Sequence, residues 1–237
     1  MRKIVLILVS TLLFGCVTVT KPVSLNPSFW QARDKPVGIA TTVAQPPTAY
    51  MIGDQGLLDI VINRANAAKL MDHLAKLETP KLKSLPNDFG SQLQARGFKV
   101  VYITEPVDPE KLPKFSGKSG TTQFAERDYR SFKEKRNFKE QGVDKLLVIS
   151  VDAVGTIRSY WGFLPGGPPQ ADIALHGQLI DLNTNELLWY EKIAGVKAVP
   201  EPWDQEPAFP NVTDTITKDT DESIEKLEQS FFSGPVQ

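Results

Sequence analysis

The sequence predicts an α/β (α+β) fold. It would be a single mixed sheet with a βαβ-like first half, an antiparallel meander in the second half, and helices packed against the sheet. Three observations point there. The run Lys145-Leu-Leu-Val-Ile-Ser-Val151 is continuously apolar between polar neighbours, as in the buried middle of a sheet. Ala67, Leu70, Met71, Leu74 and Leu77 recur at helical spacing between strand-like segments. After residue 150, strand-like runs alternate with short Gly, Pro and Asn turns, the pattern of hairpins.

Taken in order, Val37–Val43 reads as a short buried strand closed by Gln45-Pro46-Pro47. Leu57–Ile62 fits strand or helix, because short apolar runs are ambiguous. The helix marked by Leu70 and Leu74 follows. A second short helix after Pro86 turns Phe89 and Leu93 inward, with Gly97 past its end. Phe98–Ile103 reads as a strand, residues 105–121 as a polar loop, and Gln123–Gln141 as a charged helix. Lys145–Val151, Gly155–Leu164, Ala171–Leu182 and Leu187–Val196 are the later strands. A final helix carries Ile216, Thr220, Ile224, Leu227 and Phe231 on one side.

The composition is that of a globular chain of 237 residues, with 41% apolar and 23% charged residues. The formal net charge of −1 includes Arg2 and Lys3, so a chain without its first residues is more acidic still. This balance excludes non-specific nucleic-acid binding, which needs surplus Lys and Arg, and a polybasic membrane-surface role. Cys16 is the single cysteine, so no disulfide forms within the chain.

Residues 1–16 read MRKIVLILVSTLLFGC. Arg2 and Lys3 form a positive start, and Ile4–Phe14 an apolar stretch too short to span a membrane. Leu13-Phe14-Gly15-Cys16 resembles the bacterial lipobox; Phe14 is bulkier than the residue usual there. The resemblance implies cleavage before Cys16 and attachment of acyl chains, palmitate among them, to that residue. Val17 in place of Asp implies an outer-membrane anchor facing the periplasm over an inner-membrane one. The expected organisation is a signal peptide (1–15), a lipidated tether (16–35), a single periplasm-facing domain (36–233) and a tail (234–237). Phe29 and Trp30 are expected to dock from the tether onto that domain.

Two further segments carry a family resemblance. Gln141–Val151, followed after a meander by Gly177-Gln-Leu-Ile-Asp-Leu-Asn-Thr-Asn-Glu-Leu-Leu-Trp189, is similar to a group of envelope lipoproteins. That group includes the curli secretion channel lipoprotein, activator lipoproteins of penicillin-binding proteins, and the amino-terminal domain of the Tol translocation protein. The resemblance covers most of residues 36–232 in order of elements. It implies the fold, turn roles for Asp181 and Glu186, a core role for Trp189, and Asn185 where the group has a turn glycine.

Chemistry is sparse. His73 and His176 have neither i, i+4 partners nor cysteines near them, so no metal site is expected. There is no G-x-S-x-G elbow and no phosphate-binding loop. The expectation is a non-enzyme with no catalytic residue and no cofactor beyond the covalent lipid on Cys16.

Two surfaces stand out. One is the hairpin tip with Tyr160, Trp161, Phe163 and Leu164, the residue types favoured in binding hot spots. The other is the mixed-charge segment with Arg127, Arg130, Lys133, Lys135, Arg136 and Lys139, whose bland reading is a solvated face. The functional expectation is a membrane-anchored envelope lipoprotein that binds an envelope protein as scaffold or regulator, and does not bind nucleic acid. The alternatives are a periplasmic small-molecule or glycan binder and a subunit of an oligomeric outer-membrane secretion assembly. The oligomeric state is left open.

Overall fold

The computed structural model describes residues 20–117, 120–135 and 142–233. Cys16 and the leader, residues 136–141 of the charged segment, and the tail lie outside the described residues. In chain order the elements are β1 (Val37–Thr41), β2 (Thr48–Asp54), α1 (Leu57–Asn66), α2 (Ala68–Ala75), α3 (Pro80–Ala95), β3 (Val100–Tyr102), α4 (Arg130–Lys135), β4 (Lys145–Trp161), β5 (Leu164–Pro165), β6 (Gln170–Asp181), β7 (Leu187–Ala198) and α5 (Pro210–Phe232).

The strands form one mixed sheet in which β4 is the spine. On one edge its first half pairs in parallel with β1 and its second half in parallel with β2. On the other edge it pairs antiparallel with β6 and, at its end, with β5. β3 lies parallel outside β1, and β7 antiparallel outside β6. The parallel pairs need helical crossovers and the antiparallel ones need only turns. This matches the βαβ-like first half and the meander expected from the sequence.

Both faces of the sheet are covered. Leu147 and Ile149 of β4, with Leu175 and Leu179 of β6, pack under α3 and α5. Leu146, Val148 and Ile180 point the other way, beneath Val107, Leu112, Tyr129 and Phe132. A strand buried on both faces reads as an unbroken apolar run, which is why residues 145–151 stood out. Trp189 is fully buried, and its indole lies across Gly177, where an added Cβ would sit 2.4 Å from the ring. Phe29 and Trp30 join this core: Phe29 stacks on Phe98 at 4.9 Å, and Trp30 meets Phe231 edge-on. Val23, further up the chain, bridges to Tyr190 of β7.

Several local expectations are settled or corrected. Leu57–Asn66 is helix, opened by Gly56, whose N–H donates to Asp59 Oδ2. The helix expected after Pro86 starts earlier, at Pro80, and contains Pro86. The interior proline removes one backbone bond, and the burial of Leu82, Leu85, Phe89 and Leu93 offsets it. Residues 48–54, not read as a strand, form β2 on the free edge of β4. The runs 145–151 and 155–161 are one strand, continuous through a bulge between Val151 and Ala153.

The largest correction concerns Gln123–Gln141, where the described helix starts only at Arg130. The backbone before it is spent elsewhere. Phe115 N donates to Glu126 O, and Phe124 bridges to Glu186. The fully buried Asn185 takes three more groups: its Oδ1 accepts from Tyr129 N (2.9 Å), and its Nδ2 donates to Ala125 O (3.0 Å) and Arg127 O (2.8 Å). Asn185 has φ 66°, the left-handed conformation Asn tolerates in turns. Asp181 Oδ1 closes the same turn by accepting from Asn183 N and Thr184 N.

Candidate functional site

The candidate site is the far end of the spine, where β2, α1 and the β4–β5 hairpin meet. β2 runs beside β4 from Thr48↔Gly155 to Asp54↔Trp161. Two glycines set the closeness of this pairing. At Gly53 (φ +104°) an added Cβ would lie 2.2 Å from Tyr160 O, and at Gly155 (φ +137°) 2.0 Å from Thr48 O. The hairpin turn is tied back twice at Gly162: its N–H donates to Asp54 O (2.8 Å), and its carbonyl accepts from Asn63 Nδ2 (3.0 Å).

This makes α1 an inverted amphipathic helix. The residue it buries fully is Asn63, while Leu57, Leu58 and Val61 form a stripe in solvent, Leu57 being 87% exposed. An ordinary surface helix does the reverse. Trp161 is 78% exposed at the tip, and Phe163, Leu164 and Ile52 are exposed at the same end. Of the four tip residues singled out from the sequence, Trp161, Phe163 and Leu164 are exposed. Tyr160 is buried and turns inward. The exposed stripe on α1 was missed because Leu57–Ile62 read as an apolar run with no assigned face.

Tyr160 instead lines a cavity of about 110 Å³ between β2, β4, α1–α2 and the segment before α5. Tyr50, Asn63, Trp203 and Phe209 also line it. The Arg158 guanidinium lies 4.8 Å over the Trp203 ring, and its Nε donates to Gly167 O. Lys69 pairs with Glu206 at the rim. A larger groove of about 530 Å³ lies at the other side of α2, with Pro46, Pro47, Leu77, Leu82, Ile149 and Val154 among its walls.

The histidines hold structure together. His73 Nε2 meets Thr213 Oγ1 at 2.8 Å, and burial lowers its pKa. His176 Nδ1 meets Asp152 at 2.9 Å on the opposite face of the sheet, beside Ser150. The Ser150 hydroxyl is buried and makes no hydrogen bond, to His176 included. Among the described residues no cluster of His, Cys, Asp and Glu is arranged to hold a metal ion. The charged segment is spent in ion pairs where it is described: Arg127 with Glu110, Arg130 with Asp128, and Lys133 with Asp144. Two lysines, Lys35 and Lys133, hold Asp144. Burial works against its charge, but their hydrogen bonds outweigh that and lower its pKa. Burial pushes the Tyr129 phenol up to about 12. No described helix is long and apolar enough to cross a membrane.

No family model matches the chain, and no curated protein does. Among solved structures it is similar to a putative neuraminyllactose-binding hemagglutinin homolog from Helicobacter pylori, at 9% identity, 85% of this chain, 90% of that one and a TM-score of 0.36. It is also similar to protein XCC0632 from Xanthomonas campestris, at 12% identity, 90% and 92% coverage and a TM-score of 0.37. A third is lipoprotein GNA1162 from Neisseria meningitidis, at 13% identity, 79% and 99% coverage and a TM-score of 0.26. At these scores no property of those proteins passes to this chain.

Proposed function

We propose that this chain is a lipid-anchored protein of the bacterial cell envelope. It works by binding a protein partner and not by catalysis, and the exposed apolar end is its contact surface. The observation that carries the reading is α1, which buries an asparagine and offers Leu57, Leu58 and Val61 to solvent beside Trp161, Phe163 and Leu164. Large exposed apolar residues gathered at one end mark interaction surfaces.

The lipobox-like Leu13–Cys16 supports the anchor, and Val17 supports the outer membrane as its address. Two acyl chains or more give stable anchoring. The anchor also sets the geometry. Thr20 lies four residues after Cys16, so the lipid attaches within about 14 Å of it. Thr20 lines a groove with Tyr190 and Lys192, and Tyr190 is level with Val148 through Gln178. From Val148 to Trp161 the spine runs about 40 Å at roughly 3.3 Å per residue. This favours an apolar end held out from the anchoring bilayer, toward a protein. Neighbouring charges are mixed, with Asp54 and Asp59 beside Arg64, and lack the basic excess that anionic lipid attracts.

The test is a full-length chain with Leu57→Ser, Leu58→Ser and Val61→Ser in its native host. The variant is expected to remain anchored and folded, yet lose the crosslinked complex that the wild type forms. Unchanged complexes would remove the apolar end from the account. A second reading, a small-molecule binder, is favoured by the 530 Å³ groove, whose volume falls in the range of ligand pockets (roughly 300–1,000 Å³) and whose walls are largely apolar.

A further inference from the structure

The edge of the spine that carries β1 and β2 has a gap. β1 pairs with β4 as far as Thr41↔Ile149, and β2 takes up the same edge from Thr48↔Gly155. Between these points residues 43–47 form neither strand nor helix, and β4 is bulged between Val151 and Ala153. The groove of about 530 Å³ lies at this gap, between the 43–47 loop and the α2–α3 junction. Its volume is that of a ligand pocket, roughly 300–1,000 Å³.

The lining says what would fill it. Leu82, Ile149 and Val154 are buried in its walls, while Leu77, Val151 and Pro86 are half-buried and keep apolar surface open to an occupant. None of the lining residues is aromatic. A ring would find no ring to stack on, whereas a saturated chain needs only aliphatic walls for its methylenes. Three lining residues are charged. Lys83 pairs with Glu78 at 3.0 Å, and Lys76 makes no ion pair among the described residues, so the rim keeps one positive charge unopposed. The proposed anchor is not the natural occupant. Thr20, four residues after Cys16, lies beside Tyr190, which packs with the core on the other face of the sheet from Ile149 and Val154.

We infer that this groove takes one free fatty acid: a saturated hydrocarbon chain with a carboxylate head. The chain lies along Leu77, Leu82 and Val151, and the head meets Lys76 at the rim. The inference rests on the small-molecule reading of this groove and is independent of the apolar tip.

The experiment uses the full-length protein in lipid nanodiscs, with ¹³C-labelled Ile, Leu and Val methyl groups. It is titrated with hexanoate, octanoate and decanoate at free concentrations fixed by dialysis. Saturable shifts are expected at Leu77, Leu82 and Val151, with affinity rising about fourfold per added methylene. Octanamide keeps the chain and loses the charge. It is expected to bind about threefold more weakly than octanoate, and Lys76→Met is expected to abolish that difference. Val151→Trp, which fills the groove from β4, is expected to remove the shifts at Leu77 and Leu82 while the rest of the spectrum persists. If that variant fails to fold, Ala75→Trp fills the groove from the exposed end of α2 and must give the same loss. No saturable shift with any of the acids overturns the inference and the small-molecule reading with it. Affinity that does not grow with chain length, or octanamide binding equal to octanoate, overturns the fatty-acid assignment and leaves that reading standing.

Discussion

The two ends of the spine each bury one asparagine completely, and the two side chains are used differently. At the end where the chain enters, Asn185 makes a closed clasp. Its carbonyl oxygen accepts one backbone N–H and its amide donates to two backbone carbonyls, so neither polar atom is left over. At the far end, Asn63 ties α1 to the hairpin tip through its amide and leaves its buried carbonyl oxygen without a hydrogen bond. The first is what a purely structural asparagine looks like. The second holds structure with its amide nitrogen and leaves its carbonyl oxygen buried without a hydrogen bond. The apolar surface divides the same way: it is packed at the Asn185 end and exposed at the Asn63 end.

The sharpest test of this contrast is Asn185→Gly. Glycine keeps the left-handed backbone, so the substitution removes the clasp without adding strain. Three backbone groups, two of them in buried hydrogen bonds, lose their partner, each costing about 1 kcal/mol or more. Urea unfolding is expected to show a loss of about 3 kcal/mol, and a loss below about 1 kcal/mol would mean that the clasp is dispensable. Asn63→Ala, by contrast, loses two hydrogen bonds but also deletes the unmet acceptor, so about 1 kcal/mol is expected. Equal losses at the two asparagines in the same unfolding series would erase the distinction between closed and open ends.

The contrast also explains what was legible in the sequence. Residues 145–151 could be placed at once, because a strand buried on both faces is unbroken in its apolar character. The turn at Asn185 was visible as an αL position, but its side-chain bonds were not. They reach back to residues 125–129 and hold extended a segment whose own composition favours helix. Long-range hydrogen bonds leave no local pattern. At the other end, Trp161, Phe163 and Leu164 stood out as aromatic and apolar residues on a Gly/Pro-rich tip. The stripe on α1 did not, because periodicity tells that a helix has an apolar face and not which way it turns. Asn63 had no signal at all: its role depends on Gly162, far along the chain.

Near the entry end, Asp144 ties the 36–41 region to α4 through Lys35 and Lys133. Its folded pKa is lowered from 3.8, so the stabilisation is present above the unfolded value and is lost as pH falls below about 4 through the folded value. Asp144→Asn is expected to cost about 1 kcal/mol at pH 7 and to flatten the acid limb of the stability profile. An unchanged acid limb in stability measured from pH 6 to pH 2 would remove Asp144 from the account.

The smallest effect on stability is expected at the tip. Trp161→Ala removes an exposed ring and should change unfolding free energy by less than about 0.5 kcal/mol, while the proposed complex is expected to be lost. The measurement that bears most directly on the whole account is photocrosslinking in the native host, with a photoreactive amino acid placed in turn at Leu58, at Trp161 and at Lys111, an exposed residue near the end where the proposed anchor attaches. The account predicts one and the same protein adduct from Leu58 and Trp161, and no such adduct from Lys111. Adducts that appear equally at all three positions, or at Lys111 alone, would contradict it.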